Sequence, residues 1–518
     1  MTLDGSIVES TLGKLRGAAN SGVHSFKGIP YAQSTAGAAR FLPPLKPAPW
    51  SDVCDALALG PQAPQPDRPI RPANAWIRDT TPTGEDCLVL NVYTPAVGDS
   101  GKRPVMVWMH GGGYFTGSGG ATGLDGSNLA RRGDVVVVTL NHRLNAFGYS
   151  CLGDFGDERF ADAGNAGMLD IVMALEWVRD NIGNFGGDAD NVTIFGQSGG
   201  GSKVAVLMAM PSAKGLFHKA VMQSSSSHLH LASKGNASRA GRQLLSELGL
   251  DDAAALQHAL ADRVLEGYAT AVAANHGNDS FRPVVDGRSI LNHPFDLDSP
   301  DLASDIPLLI GSCETEKSFY DITLDPAKLP LSPDALQASV KRFVGIDDGQ
   351  TKNLIADYTE RRGGISGRDL FNVISSDHMY RRNAIAAAEM KSEQGGAPAY
   401  LYEFTWKTPV LDGMLKTPHT LCIPFVFGNV EIARAFTGAG PEQAALMDTV
   451  METWLAFART GNPNNTRLPE WRPYDASDRT TMIFDNECGP VQDPKREDRL
   501  LINSCPLFIP DQQWSAAA

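Results

Sequence analysis

A sharp change from a strand pattern to a helix pattern within residues 192–210 constrains the fold of this chain more than any other feature. Residues 192–195 read Val-Thr-Ile-Phe, which is typical of a short buried strand, and the apolar run at 204–210 predicts a helix. Between them lies Gly-Gln-Ser-Gly-Gly, centred on Ser198. Glycines on both sides allow a close backbone approach that a side chain would block, so the segment predicts a nucleophile elbow with the Ser198 hydroxyl exposed above a sheet.

The Gly-x-Ser-x-Gly spacing is a weak signal by itself. The chain has 52 glycines among 518 residues, so a chance occurrence is not rare, and a glycine-rich structural turn is the alternative interpretation. The strand before the motif and the helix after it favour the elbow.

The length of 518 residues is compatible with several domains or with one large α/β sheet that carries long insertions. Alternating strand and helix patterns run from about residue 88 to 485 without a low-complexity break or an internal repeat. We therefore expect a single α/β domain over residues 1–518. Helix and turn patterns predict cap-like insertions at roughly 236–305 and 320–395.

Charge and hydropathy exclude some classes of function. A net charge of −14 does not provide the basic face that nucleic acid binding requires, and it disfavours anionic substrates. No segment offers about 18 uninterrupted apolar residues, and no basic region followed by an apolar run begins the chain, which predicts a cytoplasmic protein without a membrane span. The seven cysteines show no metal-ligand spacing.

A second glycine run follows another predicted strand. Residues 104–109 are mostly apolar and lead directly to His-Gly-Gly-Gly at 110–113. Backbone N–H groups without neighbouring Cβ atoms can converge on a developing negative charge, so this run suits an oxyanion hole, with a flexible loop as the alternative. His110 is expected to orient the loop by hydrogen bonding rather than to act as a base.

The partners of a serine nucleophile should lie on loops after later strands, because the carboxyl ends of parallel strands share one edge of a sheet. The predicted strand at 306–310 leads to two candidate acids, Glu314 and Glu316. A lone histidine among eleven is more often structural than catalytic, so position alone does not select His419.

Several segments carry a resemblance to a known family. They are Phe-Lys-Gly-Ile-Pro-Tyr-Ala from Phe26, Glu-Asp-Cys-Leu-Val-Leu-Asn from Glu85, His-Gly-Gly-Gly-Tyr from His110, Asn-Ala-Gly-Met-Leu-Asp from Asn165, Phe-Gly-Gly-Asp from Phe185, the elbow, and Pro-Phe-Val-Phe-Gly from Pro424. In these segments the chain resembles the type-B carboxylesterase and cholinesterase family of α/β-hydrolases. The resemblance implies the α/β-hydrolase fold, with a large, mostly parallel central sheet flanked by helices and with helical cap or lid insertions.

The resemblance also implies roles for particular residues. It favours Glu316 over Glu314 as the acid and indicates His419 as the catalytic base. The implied catalytic triad is Ser198, Glu316 and His419. The implied oxyanion N–H donors are those of Gly112, Gly113 and Gly199. Phe281 is an implied pocket residue, with core packing as the alternative.

The chain departs from the family at positions that bear on substrate and compartment. Gln197 and Cys422 stand where acidic residues are common, so Gln197 is expected to form a neutral pocket wall and a cationic substrate is disfavoured. Ala63 stands where secreted relatives have the cysteine that pairs with the counterpart of Cys87, so the resemblance predicts a free Cys87, although Cys54 is an alternative partner. Lys317 replaces the glycine that usually follows the acid.

These observations predict a serine hydrolase that cleaves small-molecule carboxylic esters through an acyl-enzyme intermediate. This chemistry requires no metal and no organic cofactor. An amidase or carbamate hydrolase with the same triad is the near alternative. A catalytically silent binding domain on the same scaffold is the alternative from another class, but such domains lose triad members and this chain keeps all three.

Overall fold

The computed structural model describes residues 6–275, 280–296, 302–324, 330–365 and 367–510. Its strands are β1 (Ser6–Ser10), β2 (Gly13–Asn20), β3 (Val23–Pro30), β4 (Cys54–Asp55), β5 (Val89–Thr94), β6 (Arg103–Met109), β7 (Val136–Leu140), β8 (Gly187–Gln197), β9 (Lys219–Gln223), β10 (Leu308–Cys313), β11 (Ala399–Phe404), β12 (Thr480–Phe484) and β13 (Gly489–Gln492).

The strands join into one 13-stranded mixed sheet in the order β1-β2-β3-β5-β7-β6-β8-β9-β10-β11-β12-β13, with β4 paired to β2. The strands from β7 to β12 along this order run parallel. The first strands and β13 pair antiparallel. Strand β8 lies between β6 and β9, so residues that follow it emerge at the middle of the parallel edge.

Both faces of the central strands are covered, which explains their continuous apolar runs. On β6, Val105 and Val107 pack into one hydrophobic core, whereas Met106 and Trp108 pack into the core on the opposite face. The alternation follows from the period of two along a strand. The predicted strand at 306–310 begins instead at Leu308 and continues to Cys313.

The helices lie on both sides of this sheet. They are α1 (Ser127–Gly133), α2 (Asn145–Tyr149), α3 (Ala166–Asn181), α4 (Gly199–Met208), α5 (Lys234–Leu248), α6 (Ala253–Gln257), α7 (Ala261–Ala274), α8 (Pro333–Val344), α9 (Asp348–Arg361), α10 (Gly367–Ser376), α11 (Arg382–Glu393), α12 (Cys422–Phe427), α13 (Arg434–Thr437), α14 (Pro441–Thr460) and α15 (Arg496–Asn503).

The two segments predicted as insertions are largely helical. Helices α5, α6 and α7 lie between β9 and β10, and helices α8 to α11 lie between β10 and β11. A π-helical turn at Asp377–Arg381 joins α10 to α11. Whether these segments act as a cap stays a prediction. Within the described ranges, no helix combines the length and the apolar character that crossing a membrane requires.

Candidate active site

Ser198 occupies a sharp turn between β8 and α4. Its backbone has φ 58° and ψ −125°, a conformation that costs free energy for a non-glycine residue and is held by the surrounding structure. The Ser198 N–H donates to the carbonyl of Gln223 at 2.8 Å, and the Ser198 carbonyl accepts from Ser202 N–H at 3.1 Å. The predicted strand, turn and helix are therefore present, and the serine stands at the N-terminus of α4.

The glycines around Ser198 allow the turn to press against β6. A Cβ atom on Gly200 would lie 2.0 Å from the carbonyl oxygen of Met109, at the end of β6. A Cβ atom on Gly196 would lie 2.5 Å from the carbonyl carbon of Gly200. No side chain fits at either position, so the glycine spacing reflects close backbone contact.

Glu316 and His419 meet at the same edge of the sheet. Glu316 follows β10 and is fully buried, and His419 follows β11 and is 3% exposed. One carboxylate oxygen of Glu316 contacts Nδ1 of His419. The other accepts the N–H of Cys313 at 2.7 Å, and the backbone N–H of His419 donates to the Glu316 carbonyl at 3.1 Å. The carboxylate is thus fixed against the imidazole.

Glu314 lies in a different environment, although it precedes Glu316 by only two residues. Its carboxylate pairs with Lys495 at 2.8 Å and with Arg362 at 3.3 Å. These cations hold the pKa of Glu314 below its usual value, against the effect of burial. The structure therefore brings Glu316 to His419 and directs Glu314 into an ion-pair network.

The glycine run after β6 lies beside the elbow. Gly112 and Gly113 have φ of 90° and 63°, which favour glycine. A Cβ atom on Gly199 would lie 2.3 Å from the Gly113 carbonyl oxygen and 2.5 Å from its Cα, so these two backbones touch. The three predicted oxyanion glycines consequently share one small region next to Ser198.

His110 supports this run, as predicted. Its Nδ1 lies 2.8 Å from the carbonyl oxygen of Gly111, and its ring stacks on His142 with centroids 4.9 Å apart. Burial and the nearby Lys203 ammonium lower the pKa of His110 to about 3. The ring is therefore neutral near pH 7, and its Nδ1 donates to the Gly111 carbonyl.

Gln197 is fully buried and lies against His419. Its amide nitrogen is 3.1 Å from Nε2 and 3.3 Å from Nδ1 of the imidazole. The described contacts of Gln197 thus join it to the histidine itself, and its part in a pocket wall stays a prediction. Cys422, the second neutral replacement, accepts a hydrogen bond from the Gln223 amide at 3.2 Å.

Aromatic residues that sequence patterns did not single out surround the imidazole. Tyr320 lies nearly parallel to the His419 ring at 6.2 Å between centroids, and Tyr380 lies at 4.9 Å. The two phenol oxygens are 3.3 Å apart. Tyr380 belongs to the π-helical turn between α10 and α11, a feature often found at functional sites. Only its position in the fold distinguishes it from other aromatic residues.

Phe281, the predicted pocket residue, is 2% exposed. Its ring packs edge-on against Tyr268 of α7, with centroids 5.2 Å apart, inside the main hydrophobic core. A role in the pocket stays a prediction. Cys87 is a fully buried free thiol, and Cys54 is also free.

A parallel sheet with a serine on the turn after its central strand defines the chain as an α/β-hydrolase. Comparison with known proteins then specifies the family. The profile of the Carboxylesterase family matches residues 4–500. The chain belongs to the carboxylesterase family and is a carboxylic-ester hydrolase.

Individual relatives match over almost the whole chain. Para-nitrobenzyl esterase of Bacillus subtilis is 37% identical over 502 residues, which cover 95% of this chain and 97% of the relative. Phenmedipham hydrolase of Pseudarthrobacter oxydans is 32% identical, and the match covers 96% of this chain and 99% of that relative. A solved carboxylesterase of Geobacillus stearothermophilus has a TM-score of 0.83 at 38% identity and covers 96% of this chain and 99% of its own.

Proposed function

We propose that Ser198, His419 and Glu316 are the catalytic triad of this esterase. The observation that carries the proposal is the contact between the buried Glu316 carboxylate and Nδ1 of His419, at the same sheet edge as the strained Ser198 turn. A carboxylate on Nδ1 keeps the second ring nitrogen, Nε2, free of its proton and able to accept one.

In the acylation step the Ser198 hydroxyl attacks the ester carbonyl carbon. Nε2 of His419 takes the hydroxyl proton, and Glu316 stabilises the resulting imidazolium. The tetrahedral intermediate carries a negative oxygen, which accepts hydrogen bonds from the N–H groups of Gly112, Gly113 and Gly199. The intermediate collapses when the C–O bond to the alcohol breaks, and His419 returns the proton to the departing alcohol.

In the deacylation step a water molecule replaces the alcohol. His419 accepts its proton while the water oxygen attacks the acyl-enzyme carbonyl, and the same N–H groups stabilise the second oxyanion. Collapse releases the carboxylic acid and restores the Ser198 hydroxyl.

The substrate is proposed to be an uncharged small-molecule ester. Gln197 and Cys422 add no negative charge, and the Glu316 carboxylate is fully buried against Nδ1 of His419, so neither feature favours a cationic alcohol. Aromatic rings of Tyr320 and Tyr380 next to the imidazole suit an apolar or aromatic group. A para-nitrobenzyl ester is the first substrate to assay, given the relative from Bacillus subtilis.

Covalent labelling tests the nucleophile. A fluorophosphonate should modify Ser198 and abolish ester turnover, and peptide mass spectrometry should find the label on the peptide that carries Ser198. Ser198→Ala should remove both labelling and nearly all turnover, by about 10⁶-fold in kcat. Ser225→Ala is the matched control, because Ser225 is a buried serine that hydrogen-bonds to Ser202 at 2.8 Å. Labelling of another serine would contradict the assignment.

A cytoplasmic location is proposed on the evidence of the thiols. Cys87 is buried without a disulfide, and Ala63 is itself a buried apolar residue. Burial also raises the pKa of the Cys87 thiol, which keeps it protonated and unreactive. Fractionation of the source cells, with the enzyme detected by activity, tests the location.

A further inference from the structure

Lys203 is a buried cation one and a half turns after the nucleophile. All ten residues of α4 are buried, and Lys203, which has no exposed surface, is the charged residue among them. Removing an ammonium group from water is costly unless a charged partner compensates. Among the described residues no carboxylate forms an ion pair with Lys203, so its presence in this helix needs another explanation.

The contacts of Lys203 are with the glycine run of the proposed oxyanion hole. Its Nζ donates to the carbonyl oxygen of His110 at 3.0 Å and to that of Gly113 at 2.9 Å, and it lies 5.5 Å from the centre of the Tyr114 ring. The two carbonyl acceptors are the first and last of the run at 110–113. One side chain therefore fixes both ends of the run to helix α4.

The carbonyl groups between these ends are also held. The Gly111 carbonyl contacts Nδ1 of His110 at 2.8 Å, and the Gly112 carbonyl accepts the N–H of Thr116 at 3.1 Å. Within one planar peptide group the N–H points opposite to the C=O. Fixing these carbonyls fixes the directions of the Gly112 and Gly113 N–H groups, for which no acceptor is found among the described residues.

Lys203 also sets the distance between the run and the third donor. Its two hydrogen bonds hold the run against α4. The Gly113 and Gly199 backbones are in close contact there, since a Cβ atom added to Gly199 would lie 2.3 Å from the Gly113 carbonyl oxygen. Gly199 is the first residue of α4, so its N–H has no acceptor within the helix. Lys203 thus holds both ends of the run against α4, while His110 and Thr116 orient the two peptide groups that carry the Gly112 and Gly113 N–H groups.

We propose that Lys203 is a positioning residue of the oxyanion hole, whose charged ammonium holds the Gly112 and Gly113 N–H groups in register with that of Gly199. This inference rests on the proposed function of Ser198 and the oxyanion glycines. Lys203 does not touch the substrate. It acts through the two carbonyl groups that it binds.

The protonation state of Lys203 gives the proposal a second readout. Burial lowers the pKa of the ammonium to about 7. The titratable groups that face it are His110, His142 and Tyr114; burial lowers the pKa of both histidines and raises that of the phenol, so none of them changes charge near pH 7. A neutral amine donates weaker hydrogen bonds than an ammonium, so the run loses part of its hold as pH rises through this value.

Lys203→Met tests the inference, because methionine fills similar space without charge or donor. We expect kcat to fall by about 10²-fold, as when an oxyanion donor is misplaced, while KM changes by less than about 3-fold. The wild-type kcat should decline as pH rises through about 7, and this decline should be absent from the variant. Lys391→Met is the matched control: Lys391 is fully buried and donates to the carbonyls of Ala303 and Ser304 at 2.8 and 2.7 Å, away from the site.

Two results would overturn the inference: a folded Lys203→Met enzyme with kcat within about 3-fold of wild type, or a loss of kcat equal to that of Lys391→Met. Lys203→Gln, which keeps a donor but not the charge, is judged by the same two criteria if Lys203→Met does not fold. Ser198→Ala, assayed in parallel, separates the two proposals. Activity in Ser198→Ala would reject the nucleophile, whereas an inactive Ser198→Ala with an unaffected Lys203→Met would reject the role of Lys203 alone.

Discussion

Glu316 and His419 are joined twice, by the side-chain contact at Nδ1 and by a hydrogen bond of 3.1 Å from the His419 N–H to the Glu316 carbonyl. The second bond does not depend on the carboxylate, so it should hold the histidine loop in place when the side chain is changed. This makes the acid a position where charge can be removed with little change in backbone.

Glu316→Gln should therefore lower kcat by about 10⁴-fold without unfolding the enzyme, because an amide cannot stabilise the imidazolium and favours the wrong imidazole tautomer. The measurement is steady-state hydrolysis of a chromogenic ester. Glu314→Gln is the control, since its carboxylate pairs with Lys495 and Arg362 instead. A severe loss in Glu314→Gln with an active Glu316→Gln would place the acid two residues earlier.

Gly199→Ala should lower kcat by about 10²-fold, because the new Cβ would displace the Gly113 backbone, which lies 2.3 Å from its position. Gly235→Ala is the matched control. Gly235 is exposed in α5, where a Cβ would meet only the end of Arg239 at 3.8 Å, so kcat should not change and the protein should gain up to about 1 kcal/mol of stability. Equal kcat values for the two variants would argue against the proposed oxyanion contact.

Asp170→Asn should destabilise the protein by about 3 kcal/mol, because it leaves the buried Arg143 guanidinium without its counter-ion. Arg143 donates to Asp170 from Nη2 at 2.6 Å and from Nε at 2.9 Å, and both side chains are at most 2% exposed. Urea unfolding at pH 7 measures the change.

Asp55→Asn provides the comparison for that buried pair. Its partner Arg16 lies at 2.6 Å, but the two side chains are 46% and 54% exposed. The change in unfolding free energy should stay below about 1 kcal/mol, because solvent screens an exposed pair. Similar losses in both variants would contradict the effect of burial.

The strands and the elbow could be predicted from the sequence because their signals are local. Apolar runs at 104–109 and 192–195 became β6 and the buried part of β8, and the glycines around Ser198 marked a close backbone contact that no other residue permits. The pattern did not decide the ends of strands, as the start of β10 at Leu308 shows.

The sequence by itself predicted an α/β sheet with a serine on a sharp turn, from periodicity and glycine spacing, and its resemblance to a known family implied the α/β-hydrolase fold and the other candidate residues. Only the tertiary structure decided which glutamate meets His419 and what Lys203 binds. Glu314 and Glu316 follow the same strand, and the partners of Lys203 lie 90 and 93 residues before it. Such contacts depend on how distant loops meet at the sheet edge, and no short stretch of sequence carries that information.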